Sequence, residues 1–200
     1  MNTYIIKKVD DIQSVNFTEY ANKATVNYSP WKGYESPYNT NAYLLYDDEN
    51  IYVYLTTDEK EISVTQTKRD CEVCVDSCME FFLIPNENDD RYLNFEVNAG
   101  GTLHLGIGKS RFGRSFFKDT ADEVFDIKTD VTSSGWSLSY KIPFEFINSV
   151  YAAATKRMLG NFYKCGDETK VEHYAVWNDK HTAEPDFHAP SCFGVFILEE

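Results

Sequence analysis

Residues 78–98 read CMEFFLIPNENDDRYLNFEVN, and this stretch is the clearest indication of the fold. The first seven residues are apolar on both faces except at Glu80, which is typical of a central strand. The polar PNENDD follows as a turn. RYLNFEVN then alternates, with Leu93, Phe95 and Val97 on one face and polar groups on the other. The stretch therefore predicts two neighbouring strands that share an apolar inner face.

The same pattern of short strands continues on both sides of this stretch. NAYLLYD (41–47) and NIYVYLTT (50–57) are separated by two acidic residues, which indicates a hairpin. Further strands are predicted at TLHLGIG, VFDIKTDV, WSLSYKI, RMLGNFYKC, YAVW and FGVFIL, with one helix at FEFINSVYAAA (144–154). The prediction is an all-β fold, a β-sandwich or jelly-roll-like domain of about ten or eleven short, mostly antiparallel strands with one short helix. No linker or repeat divides the sequence, so residues 1–200 are expected to form a single domain.

The chain is acidic and rich in aromatic residues. Its formal net charge of −13 repels nucleic acid phosphates and anionic lipids, so neither nucleic acid nor a membrane is expected as a partner. No apolar run approaches the roughly 18 residues of a membrane span, and MNTYIIKKVDDIQSV lacks the apolar core of a signal peptide. A cytoplasmic location is therefore expected. Five cysteines, an odd number, fit a reducing compartment better than a disulfide framework.

Histidines and cysteines cluster in the sequence without a metal-binding spacing. His173, His181 and His188 lie eight and seven residues apart, which matches neither a zinc finger nor a metalloprotease helix. The cysteines at positions 71, 74 and 78 form a C-x2-C-x3-C run, but its last member enters a predicted buried strand. No metal ligand is therefore predicted.

The polar face of residues 92–98 carries Asn94, Glu96 and Asn98. One interpretation is a solvated outer face of the sandwich. Another is a ligand face, because short amides and carboxylates hydrogen-bond hydroxyl groups and so suit a sugar. A third interpretation is a catalytic pair of carboxyl groups as in a glycosidase, formed by Glu96 and by Glu80 of the neighbouring strand. The residues alone leave these three interpretations open.

Four segments, taken in order, resemble the family 9 carbohydrate-binding modules and in particular their stand-alone, single-domain relatives. They are AYLLYDDENIYVYLTTDE, CMEFFLIPNENDDRYLNFEVN, GWSLSYKIPFEFI and YAVWND…DFHAPSCFGVFIL, and together they span residues 40–198. The resemblance implies a β-sandwich that binds a mono- or oligosaccharide, or the end of a glycan, in carbohydrate catabolism without cleaving it. We expect a monomer that requires no cofactor. Calcium ions occur in the family, but the sequence indicates no ligands for one.

The resemblance also implies the residues of the binding site, with none of them catalytic. Phe187 and Trp177 are expected to stack on the sugar. Glu96 and Asn98 are expected to bond to its hydroxyl groups. His188 is added as the polar neighbour of Phe187 and is expected to donate or accept a hydrogen bond at the rim.

The sequence departs from the family pattern in ways that bear on this site. A second stacking Trp has no counterpart, because Val, Cys and Val stand at positions 73–75. Phe187 replaces a Trp, and Glu96 replaces a residue that is basic in the founding modules. Two alternatives therefore stay open beside the binding module: a glycan-processing enzyme of the O-glycosyl hydrolase type using Glu80 and Glu96, and a structural relative whose site has decayed.

Overall fold

The computed structural model describes residues 1–199, which form thirteen β-strands, two short α-helices and four single turns of 3-10 helix. The strands are β1 (Thr3–Lys8), β2 (Lys23–Thr25), β3 (Thr40–Tyr46), β4 (Asn50–Thr57), β5 (Cys78–Ile84), β6 (Tyr92–Asn98), β7 (Leu103–Gly108), β8 (Ser115–Phe116), β9 (Lys128–Thr132), β10 (Gly135–Pro143), β11 (Arg157–Gly166), β12 (His173–Val176) and β13 (Gly194–Leu198). The helices are α1 (Phe17–Tyr20) and α2 (Phe144–Val150), and the 3-10 turns are Ile12–Ser14, Val73–Val75, Asp122–Val124 and Pro190–Cys192.

Two sheets pack face to face and share β1. The first sheet has the order β8-β7-β6-β5-β11-β13-β1, with β12 paired to β11. The second sheet has the order β1-β3-β4-β10-β9, with β2 paired to β3. The start of β1 pairs with β13, whereas Lys7 and Lys8 at its end pair with β3, so this strand crosses from one sheet to the other. Both pairings of β1 are parallel, and the other pairings between these strands are antiparallel.

The core lies between the inner faces of the two sheets. The predicted alternation of β6 is confirmed, because Leu93, Phe95 and Val97 are fully buried in it. The Phe95 ring stacks on Tyr140 of the opposite sheet, with ring centroids 5.5 Å apart. Burial of each large apolar side chain contributes about 1.5–3 kcal/mol. The sandwich is therefore stabilised mainly by the inward-facing residues, which the alternating pattern predicted.

The predicted fold class is confirmed, with differences in individual elements. The strands β1, β2 and β8 were not among those predicted. The predicted helix 144–154 ends earlier, because Tyr151 is already extended. The predicted strand 124–131 begins only at Lys128, because Asp126 has a φ of 48°, a left-handed conformation that interrupts a strand. Among residues 1–199, no helix combines the length and apolar character needed to cross a membrane.

A buried ion pair joins the two layers near one end of the sandwich. The Lys164 Nζ lies 3.0 Å from the Glu59 Oε2, and both side chains are fully buried. Glu59 also accepts hydrogen bonds from Trp136 Nε1 at 2.9 Å and Ser77 Oγ at 2.8 Å. Burial, followed by the charge of Lys164, lowers the pKa of His173 to about 4, so a neutral ring can accept from the Lys164 ammonium at 2.9 Å. These partners satisfy a charge pair that would otherwise be costly to bury.

Candidate functional site

The outer face of the first sheet is covered by loops rather than exposed to solvent. The polar residues of β6 are all buried, so the interpretation of this face as solvated is wrong. The Tyr92 hydroxyl contacts His188 Nδ1 at 2.8 Å, and the His104 Nδ1 contacts the Cys71 carbonyl oxygen at 2.9 Å. Alternation along a strand marks which residues face away from the core, but it does not reveal loops that return over them.

Between this face and its covering loops lies a cavity of about 180 Å³. Its floor contains Glu80, Glu96 and Cys165, from β5, β6 and β11. These side chains point away from the sandwich because their neighbours along each strand fill the core. One wall comes from Cys74, Asp167 and Tyr174, and the other from residues 185–188 together with Arg111.

The two carboxyl groups of the floor lie side by side. Glu80 and Glu96 are direct partners in the antiparallel register of β5 and β6. Burial, followed by the charge of Glu96, raises the pKa of Glu80 well above its usual range. Glu96 accepts a hydrogen bond from Asn94 Nδ2 at 2.7 Å, and Arg114 Nη1 lies 3.5 Å away. The floor thus favours a protonated Glu80, and the two carboxyl groups together offer hydrogen-bond acceptors and one donor.

Phe187 supplies an aromatic ring to the wall formed by residues 185–188. Its ring stacks on Tyr163, with centroids 4.1 Å apart and planes 12° apart. The Tyr163 hydroxyl donates to the Phe187 carbonyl oxygen at 3.0 Å, and Trp31 packs behind at a centroid distance of 6.0 Å. Only 9% of Phe187 is exposed, and it lies on the cavity wall. The ring is therefore held rigidly, with an apolar surface at the cavity.

His188 and Asp186 connect this wall to the loop that follows β7. Burial, then the charges of Arg114 and Arg111, lowers the pKa of His188 to about 3, so the imidazole is neutral at physiological pH. The Asp186 Oδ1 accepts from the His188 backbone N–H at 2.9 Å and from Arg111 Nη2 at 3.0 Å. The exposed Arg111–Asp186 pair thus joins two loops at the rim of the cavity.

Asp167 and Tyr174 form the remaining wall. The Asp167 N–H donates to the Cys74 carbonyl oxygen at 3.0 Å, which anchors the turn after β11. Burial raises the pKa of Asp167 to about 6, although hydrogen bonds from Tyr174 and Cys74 oppose the shift. Tyr174 meets Phe187 edge to face, with centroids 5.9 Å apart. The rings of Tyr174 and Phe187 therefore join the two walls, beside the weakly acidic carboxyl group of Asp167.

Three of the five predicted site residues line the cavity, and two do not. Glu96, Phe187 and His188 come together around it. Trp177 instead lies in the core, where its ring contacts Phe162 and Phe196 at centroid distances of 5.9 and 5.0 Å. Because this ring is enclosed by core side chains, its position does not support the predicted stacking on a sugar.

Asn98 also has a different environment from the one predicted. Its fully buried amide donates to the Gln66 carbonyl oxygen and to Asp76 Oδ2, both at 2.8 Å. The Asn98 Oδ1 accepts from the backbone N–H groups of Gly100 and Thr102. Since these partners use both N–H groups and both acceptor sites of the amide, Asn98 shapes the turn after β6 and is not placed to bind a ligand.

The three histidines considered as a zinc site have separate environments. His173 contacts the buried Lys164, His181 is exposed beside the Tyr28 ring, and His188 lies at the cavity. Within residues 1–199, these three histidines do not come together as a group of potential metal ligands. The cavity residues that sequence reasoning missed include Asp167, Tyr174 and Cys165. No local pattern marks them, because strand pairing and loop packing bring them together.

Comparison with known proteins agrees with this architecture. The sequence matches the profile of carbohydrate-binding family 9 over residues 10–198. A structure from Bacteroides uniformis, of a protein to which carbohydrate binding has been ascribed, is 25% identical, with a TM-score of 0.83 over 98% of this chain and 99% of that one. A comparison with curated protein sequences gave no match.

Two further structures show the same fold at lower identity. Both are of a family 9 carbohydrate-binding module from Caldicellulosiruptor kristjanssonii, in complex with cellotriose and with glucose. Each is 14% identical, with a TM-score of 0.68, over 99% of this chain and 94% or 96% of theirs. Because the family profile covers almost the whole sequence and the observed sandwich has the same fold, the chain belongs to carbohydrate-binding family 9.

Proposed function

We propose that this protein binds a mono- or oligosaccharide in the cavity and does not cleave it. The observation that carries the proposal is the meeting of an aromatic ring, Phe187, with buried polar groups around one cavity. A pyranose has an apolar C–H face, which packs on a ring, and hydroxyl groups, which need partners in the plane of the sugar. Membership of a carbohydrate-binding family supports this class of ligand.

Each side chain has a role that follows from its position. Phe187 would pack on the C–H face of one sugar ring. Glu96 would accept from hydroxyl groups, and a protonated Glu80 could also donate. His188 would exchange a hydrogen bond as a neutral imidazole, and Arg111 would donate at the rim. A cavity of about 180 Å³ suits one sugar ring, with any further sugar units outside it.

The arrangement of the carboxyl groups favours binding over hydrolysis. A glycosidase places its two carboxyl groups on either side of the scissile bond. Glu80 and Glu96 instead lie next to each other on the floor, in direct strand register. A sugar above them would have both groups on the same side. We therefore propose a binding module rather than a hydrolase. The monomeric state, the cytoplasmic location and a bound calcium ion stay predictions.

A saccharide panel tests the proposed function. We expect titration calorimetry to identify at least one mono- or oligosaccharide that binds the wild-type protein. Glu96→Gln should weaken its binding at least tenfold, about 1.4 kcal/mol, because an amide with one acceptor oxygen replaces a carboxyl group on the floor. The control is Glu123→Gln, since this carboxylate is exposed and does not line the cavity. Equal loss of affinity in both variants, or no binding across the panel, would refute the proposal.

The same samples test the enzyme alternative. Incubation with a panel of aryl glycosides should give no turnover above the rate in buffer. Turnover that disappears in Glu96→Gln would instead establish a glycosidase.

A further inference from the structure

Two thiols and a carboxyl group converge at the floor of the cavity. Cys78 and Cys165 are direct partners in the antiparallel register of β5 and β11. Glu80 follows Cys78 by two residues and so lies on the same face of the sheet. The two sulfur atoms and a carboxylate oxygen all lie within 4.8 Å of one another, and all three residues are buried. The Cys165 Sγ is 3.0 Å from Glu80 Oε1.

We propose that Cys78, Cys165 and Glu80 form a binding site for a thiophilic divalent metal ion of the zinc type. Zinc binds sulfur at about 2.3 Å and oxygen at about 2.0–2.2 Å, so ligand atoms around a tetrahedral ion lie about 3.5–3.8 Å apart. The three atoms therefore need to move by no more than about 1 Å to reach this geometry. This proposal goes beyond saccharide binding and does not depend on it.

The fourth position of such a site would face the cavity. Glu80 and Cys165 both line the cavity, so an ion between them would be reached from that side. Water or a ligand oxygen could occupy the open position, as in zinc sites with three protein ligands.

The ligand types select the class of ion. Two thiolates with one carboxylate favour zinc over calcium or magnesium, which prefer sets of oxygen ligands. The charge around the cavity also favours a cation, because four carboxyl groups but only one guanidinium line it. A divalent ion would offset the repulsion among these carboxyl groups.

Binding is a proton exchange without oxidation or reduction. Both thiols lose their protons, and so does the Glu80 carboxyl group where it is protonated. The protons go to solvent, and the hydrogen bond from Cys165 to Glu80 is replaced by bonds from both groups to the ion. Affinity should consequently rise with pH.

Zinc and cobalt titrations of the full chain test the proposal. The protein is made metal-free and kept reduced with a phosphine, and all five thiols are titrated before metal is added. We expect one zinc ion per chain, with a Kd below about 1 μM in competition with a chromophoric chelator. Cobalt should produce a thiolate-to-metal charge-transfer band and the visible absorption of a tetrahedral site.

Three variants assign the ligands. Cys165→Ser should weaken zinc binding by at least about tenfold and reduce the cobalt charge-transfer band. Glu80→Gln should weaken zinc binding by at least about tenfold while retaining that band. The control is Cys71→Ser, because this half-buried cysteine lies outside the cluster. It should bind zinc as the wild type does.

Either of two results would overturn the proposal. One is the absence of a stoichiometric ion in the reduced wild-type protein. The other is an unchanged zinc affinity in folded Glu80→Gln, which keeps the size of the side chain and decides the matter even where Cys165→Ser does not fold.

Discussion

The exposed surface of the Phe187 ring is expected to decide sugar affinity, and replacement by Leu tests this. Phe187 packs on Tyr163 at a centroid distance of 4.1 Å and is 9% exposed. Leu keeps most of the apolar volume but has no flat π-face. Phe187→Leu therefore separates stacking on a ligand from the filling of space in the loop.

Two effects of this substitution can be estimated. Leu has three carbon atoms fewer than Phe, so the exchange, including loss of the aromatic pair with Tyr163, should cost less than the roughly 3–5 kcal/mol of a buried Phe→Ala truncation. A domain stabilised by about 5–15 kcal/mol stays folded under that loss. Loss of stacking on the sugar should remove a further 0.5–1.5 kcal/mol from binding, which corresponds to an affinity about twofold to tenfold weaker. Phe187→Ala should weaken binding tenfold or more.

Titration calorimetry with the saccharide that the wild type binds best measures the affinity of each variant. Urea unfolding measures its stability. Phe125→Leu is the matched control, because Phe125 is fully buried in the core and does not line the cavity. It should lose stability and keep its sugar affinity. Stacking on Phe187 is refuted if folded Phe187→Leu and Phe187→Ala bind as tightly as the wild type, or if Phe125→Leu loses as much affinity as they do.

Three further substitutions test the assigned environments. Trp177→Phe should lower the free energy of unfolding by about 1 kcal/mol or more and leave sugar affinity unchanged, because the ring lies in the core; a calorimetric loss of affinity without a loss of stability would contradict this. The pKa of Asp167 is raised to about 6 in the folded protein, against an ordinary 3.8. Ionisation of Asp167 therefore does not lower the free energy of unfolding below about pH 4, but lowers it increasingly as the pH rises towards 6. Asp167→Asn should therefore raise stability at pH 7 by up to about 3 kcal/mol, less the screening of a half-buried group, and a stability difference that is the same in urea unfolding at pH 4 and pH 7 would speak against it. Lys164→Met should cost about 3–5 kcal/mol, because Glu59 would be left buried without its cation, and a Tm equal to that of the wild type would show that this pair is not essential.

Periodic patterns predicted the elements whose partners are close in the sequence. The hairpin of β5 and β6 is an example, since its apolar alternation gives the inner face directly. The strand β1 was missed because it pairs in parallel with β13, at the opposite end of the chain. The start of β9 was misplaced because the left-handed conformation of Asp126 has no signature in an apolar pattern.

The candidate site was predictable only in part, for a related reason. Phe187 was identified from the resemblance and His188 as its polar neighbour, in a loop between Pro185 and Pro190. Trp177 follows directly on the short strand β12, and its local sequence does not distinguish a core ring from an exposed one. Cys165 and Asp167 reach the cavity through the pairing of β11 with β5, which joins residues about 80 positions apart. Sequence spacing carries no information on such a contact.

A crystal structure of the protein with the saccharide that binds best shows directly whether the cavity is the sugar-binding site. We predict density for a sugar ring in the cavity, with its C–H face on Phe187 and hydroxyl groups within hydrogen-bond distance of Glu96 and His188. A saccharide bound elsewhere on the surface, with the cavity holding only water, would contradict it.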